Sequence, residues 1–126
     1  MNYFILIFSL LYFICFSSLG FGQTNPRNIN KAFMIGQDLF KSCTNLDASS
    51  QNECTGYILG VIDITEGFSV VSNQCMGFML PSSINIQEIK KLVLIWYKEH
   101  PSHLKIAAAD GLYGALSNRY PCQKLN

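Results

Sequence analysis

Four cysteines, Cys43, Cys54, Cys75 and Cys122, say the most about the chemistry open to this chain. They lie downstream of an uncharged, apolar N-terminus. An even cysteine set behind an export segment reads as a disulfide framework in an oxidising compartment. Once oxidised, they offer no thiolate nucleophile. Structural zinc sites favour cysteines a few residues apart, and no pair here has that spacing. The two histidines, His100 and His103, stand three residues apart beside Glu99, too few acids for a metal site. His100 suits the last turn of a helix, where the dipole favours it, and His103 reads as exposed. Asp63 and Glu66 are three apart on an expected helix, a spacing that paired carboxylates use for acid–base work. A solvated pair is the commoner outcome of that spacing. No serine sits in a nucleophile elbow, and no glycine-rich loop follows a strand. The residues point to a binding protein and not an enzyme, with no cofactor and no metal.

The elements that must position these residues are helical. Phe33, Leu39, Phe40 and Cys43 fall on one face of a first helix over 30–43, with Asn28 or Asn30 as cap. The small, polar stretch 44–50 reads as a loop. A second helix runs from Gln51 to about Val70, with Cys54, Tyr57, Ile58, Val61, Ile62 and Phe68 as a broad apolar stripe. Gly56 and Gly60 sit one turn apart on it. Each costs roughly 1 kcal/mol of helix propensity, so the expected reason for them is close approach of another helix. A long connection over 72–83 follows. Asn85, Glu88 and the staple pair Ile84 and Ile89 then mark the start of a third helix over 86–99. Its buried stripe is Ile89, Leu92, Val93, Trp96 and Tyr97, and His100-Pro101 ends it. Ser102 is positioned to cap a fourth helix, lined by Leu104, Ala107, Ala108, Leu112, Ala115 and Leu116. The expected fold is all-α: a compact domain of four helices without significant sheet, stapled by two disulfides.

Four cysteines allow three connectivities. Cys43 ends the first helix and Cys54 opens the second, so a short turn between antiparallel helices brings them together. That leaves Cys75, in the long connection, for Cys122. In the chain-entropy model the larger loop contributes roughly 4 kcal/mol and the smaller roughly 3.

Residues 1–26 hold no charged side chain, and Tyr3 to Phe16 is an almost unbroken apolar run followed by Gly20 and Gly22. This reads as a signal peptide over 1–22, cleaved after Gly22, with Gly20 as second choice. The run is shorter than the ~20 residues a retained spanning anchor needs. Ile14 before Cys15 is too large for a lipoprotein signal, so Cys15 leaves with the leader. The mature domain, 23–126, has about a hundred residues, the size of one domain. Nine basic and eight acidic residues are interspersed in it. Such a near-neutral chain without a basic run has no electrostatic basis for nucleic-acid binding. The stretch Met76-Gly77-Phe78-Met79-Leu80-Pro81 is apolar for a connection. It reads either as a loop tucked under the helices or as a contact patch.

The stretch Cys54-Thr55-Gly56-Tyr57-Ile58-Leu59-Gly60-Val61-Ile62-Asp63 resembles the C-x-G-Y-I-x-G-x-x-D signature of the Rap/Tai immunity proteins. Four further pieces match in order. They are Gly36 through Cys43, Cys75 through Pro81, Trp96-Tyr97-Lys98-Glu99-His100-Pro101, and Ala115-Leu116 with Tyr120-Pro121-Cys122. Together they span most of the mature chain. Two pieces depart from the pattern: five residues separate Cys75 from Pro81, and Trp96-Tyr97 replaces the commoner tyrosine–leucine. The resemblance implies a periplasmic protein that blocks a type VI secretion effector, a peptidoglycan amidase, by occluding its cleft. It also implies a homodimer, and no membrane association after signal cleavage. Gly56, Tyr57, Gly60, Asp63, His100, Pro101, Pro121 and the cysteines would be scaffold. Met76, Gly77, Phe78 and Met79 would form the partner-contact loop. An exported helical adaptor of an envelope complex is the alternative.

Overall fold

The computed structural model describes residues 32–123. The expected signal peptide, Cys15 and the Asn28 and Asn30 caps lie outside them. Four α-helices make up the described chain: α1 (Gly36–Thr44), α2 (Ala48–Ser72), α3 (Ile86–Glu99) and α4 (Ala108–Arg119). A short 3-10 helix, Pro101–Lys105, joins the last two. No strand forms among the described residues. Two isolated antiparallel bridges, Ile35 with Ala107 and Phe78 with Pro121, tie the connections to the bundle.

The starts of α2 and α3 follow side-chain caps. Asn85 accepts from the backbone N–H groups of Gln87 and Glu88, both at 3.0 Å, and starts α3 where its sequence marks it. Asp47 does the same for α2, accepting from the Ser50 backbone N–H at 2.9 Å and the Ser50 hydroxyl at 2.7 Å. These bonds hold the Asp47 carboxyl below the usual carboxylate range. They also start α2 at Ala48, three residues before the expected Gln51.

Two expectations are corrected here. The first helix begins at Gly36 and not at Asn30, because residues 34–36 are taken up by the bridge to the fourth segment. The Gly36 N–H donates to the Ile106 carbonyl at 2.9 Å and the Ala108 N–H to the Met34 carbonyl at 3.0 Å. Phe33 is consequently fully exposed and not on a buried stripe. The same bridge breaks the fourth segment. Pro101 starts a 3-10 turn, Ile106 is extended, and α4 begins only at Ala108, with no side-chain cap from Ser102.

Tyr97 is the centre of the core. It is fully buried, its hydroxyl donates to the Ala108 carbonyl at 3.0 Å, and Phe40 meets its ring edge-on. Burial pushes the Tyr97 hydroxyl above the usual phenol range. Leu39, Ile58, Val93, Leu112 and Leu116 are also fully buried. Two glycines let neighbouring segments reach this ring. A Cβ on Gly111 would lie 2.5 Å from Tyr97, and one on Gly36 would lie 2.7 Å from it and overlap the His103 carbonyl.

Both disulfides form as expected, Cys43 with Cys54 and Cys75 with Cys122. The α1–α2 corner carries further ties. Gln51 donates from its side-chain amide to the carbonyls of Cys43 (3.2 Å) and Asn45, satisfying the end of α1. The Gln51 side-chain oxygen accepts from the ammonium of Lys90 at 3.0 Å. Lys90 is the buried charge among the described residues, and its bonds to the Gln51 side-chain oxygen and backbone carbonyl make its burial tolerable.

Candidate interaction surface

The second helix has two unlike halves. Up to Ile62 it buries Cys54, Ile58 and Ile62 in the core. Beyond Ile62 nothing on it is buried, although the sequence stays apolar. Ile64 and Phe68 are both 58% exposed, Val70 81% and Val71 87%. Phe68 was expected on the buried stripe. It is outside because the helix runs past the end of its neighbours. By length and composition alone α2 would suit a membrane span, yet its first half is cross-linked to α1 and packed on the other helices.

The connection 73–85 folds back against this projecting end. Asn73 takes the left-handed conformation (φ 51°) and caps α2 through the carbonyls of Ser69 and Val70. The Ser69 hydroxyl accepts from the Met76 N–H at 3.0 Å. Gly77 has φ 116°, a backbone conformation that favours glycine, and it lies against the outer end of the Tyr113 side chain. The strand-like contact with the C-terminal segment follows: Met79 N–H to the Tyr120 carbonyl at 2.9 Å, and Gly77 N–H to Cys122 Sγ at 3.2 Å. The four expected contact residues therefore divide. Phe78 is turned into the core, 3% exposed, with its ring on that of Tyr113. Gly77 is half-buried, while Met76 and Met79 are exposed at 43% and 53%. Burial thus varies along the stretch, with Phe78 inside and Met76 and Met79 outside. A groove of 390 Å³ lies between the end of α2 and this connection, lined among others by Glu66, Val70, Asn73, Phe78, Met79 and Leu80.

The remaining expected site residues are placed as follows. Gly56 and Gly60 face open space: a Cβ at either meets nothing within 4 Å. The close helix approach expected there does not occur among the described residues. Gly36, Gly111 and Gly114 have that role instead, Gly114 against the Trp96 ring. Tyr57 is half-buried, and burial pushes its hydroxyl up, with the charge of Asp110 adding to the effect and the backbone of Ala109 opposing it. Asp63 and Glu66 are exposed, with no hydrogen-bond partner among the described residues. His100 stacks on Trp96 with ring centroids 3.7 Å apart. The Trp96 indole N–H donates to His103 Nδ1 at 3.3 Å, so His103 is half-buried and not exposed. Both histidines are thus absorbed in packing the helix junction that Pro101 opens. Pro121 is exposed and pairs with Phe78 through the backbone bridge. Among the described residues no group of three or more metal-ligating side chains converges.

The geometry is that of a rigid, cross-linked helical body with an apolar projection at one end. Comparison with known protein families finds a match over residues 35–122 to the model of the Rap1a immunity proteins. Curated proteins and solved structures gave no match.

Proposed function

The chain belongs to the Rap1a immunity protein family, and from that premise we propose that it is exported and neutralises a peptidoglycan amidase delivered by a type VI secretion system. In this reading residues 1–22 direct export, residues 23–126 act in the periplasm, and the protein protects its own cell by binding. It catalyses no reaction and needs no cofactor. The family match over most of the described chain is the observation that carries the proposal.

The projecting end of α2 and the connection beside it are the surface best suited to the contact. Phe68, Val70, Val71, Met76 and Met79 all expose apolar side chains at this end of the molecule, and exposed apolar surface marks interaction sites. Met76 and Met79 are held in place by the Cys75–Cys122 bridge, the Met79 N–H bond to the Tyr120 carbonyl and the Gly77 N–H bond to Cys122 Sγ. A pre-ordered projection loses little conformational freedom on binding, which favours tight occlusion of a cleft. Homodimerisation, implied by the family resemblance, is a further part of this proposal.

The test is calorimetry of the oxidised domain 23–126 with the amidase encoded beside it. The expected result is stoichiometric binding at nanomolar or tighter affinity, with loss of amidase activity. Met76→Asp with Met79→Asp should weaken it at least tenfold while leaving the circular dichroism spectrum unchanged. A purified pair that does not associate removes the proposal.

A further inference from the structure

Nine basic residues are present, yet none falls between Lys41 and Lys90, and neither does a histidine. Five carboxylates do: Asp47, Glu53, Asp63, Glu66 and Glu88. The whole of α2 and the connection after it are therefore without a cation. The last turn of α2 has no basic residue either, so the negative end of a 25-residue helix dipole is not offset by a side chain. The groove opens at that end. Its wall carries the Glu66 carboxylate, which has no partner among the described residues, and the side-chain amide of Asn73. Its floor is apolar, from Val70, Phe78 and Leu80. An apolar slot with acceptors at one end fits a long side chain with an apolar stem and a cationic tip.

We propose that this groove receives an arginine side chain of the partner protein, with its stem along Val70 and Leu80 and its guanidinium against Glu66 and the end of α2. Arginine is the choice over lysine because its planar fork pairs with a carboxylate through two bonds. Buried arginine anchors are among the side chains that dominate protein interfaces. The inference rests on the immunity reading in naming a protein as the source of the cation. The first arm of its test needs no effector.

The probe is N-acetylarginine methylamide, titrated into the isotope-labelled oxidised domain and followed by amide chemical shifts. Saturable shifts are expected at Glu66, Val70, Asn73 and Leu80, with affinity of roughly millimolar order for a ligand of this size. The neutral citrulline analogue should bind at least tenfold more weakly, and Glu66→Gln should reduce arginine binding by a similar factor. Glu66 is exposed, so the variant keeps the fold. Shifts that do not saturate, that centre elsewhere, or that are equal for the citrulline analogue overturn the proposal. In the second arm, Glu66→Gln should weaken binding of the neighbouring-gene amidase about tenfold, and an unchanged affinity overturns the assignment of the arginine to that partner. A wild-type protein that does not associate with the amidase at all counts against the immunity reading and not against the groove.

Discussion

Replacing Gly56 and Gly60 with alanine should make this protein more stable. Both lie in the middle of α2, where glycine is about 0.8–1.0 kcal/mol less favourable than alanine. Part of that difference comes from the freedom glycine gives the unfolded chain. A methyl group at either position meets nothing within 4 Å, so no overpacking opposes the gain. The two sites share no packing partner, so their effects should add to about 2 kcal/mol. For a domain of this size that is a rise in Tm of roughly 8 °C or more. Urea unfolding of the oxidised domain 23–126, followed by circular dichroism at micromolar concentration, is the assay. The slope should stay constant while the midpoint rises. A midpoint that is unchanged or lower refutes the reasoning, since it means that something covers a face the structure shows as open.

Gly111→Ala should behave in the opposite way. Its methyl would sit 2.5 Å from the Tyr97 ring, which is fully buried and cannot yield, so the expected loss is roughly 1–3 kcal/mol by the same unfolding assay. Cys75→Ser with Cys122→Ser should cost up to roughly 4 kcal/mol. It should also raise hydrogen exchange over 75–80 by mass spectrometry while the α1–α2 corner stays protected by its own bridge. Alkaline pH should destabilise the fold through Tyr97. Its phenol is raised above 10.0 in the folded state, so its contribution is complete below pH 10 and is lost as pH rises beyond that. The urea midpoint should be flat between pH 7 and 9 and fall above 10. Tyr97→Phe should flatten most of that fall, with the smaller remainder from Tyr57.

The parts of this fold that were legible in the sequence are those fixed by local chemistry. Asn85 and Pro101 bound α3 because a cap and a proline act on the residues beside them. The disulfide pairing followed from Cys43 and Cys54 flanking one turn. What was hidden depends on partners distant in sequence. Periodicity placed Phe68 on the same stripe as Ile58, and on the helix surface it is. Whether a stripe is buried depends on how far the neighbouring helices reach, and on α2 burial ends at Ile62. The glycines show the same limit. Gly56 and Gly60, four apart, look like a helix contact, whereas Gly36 and Gly111 show no local pattern at all. Only the path of α3 reveals that both face Tyr97. The connection 75–81 was ambiguous for a related reason, since alternation between inward and outward residues in an extended segment needs a partner strand to fix its phase. The Met79 bond to the Tyr120 carbonyl and the Phe78–Pro121 bridge fix it here, turning Phe78 in and Met79 out, and the positive φ of Gly77 breaks the alternation so that Met76 is out as well. The same short pairing that buries an aromatic ring therefore also sets out Met79, so the exposed surface and the core of this end of the molecule are parts of one structural decision and should be lost together.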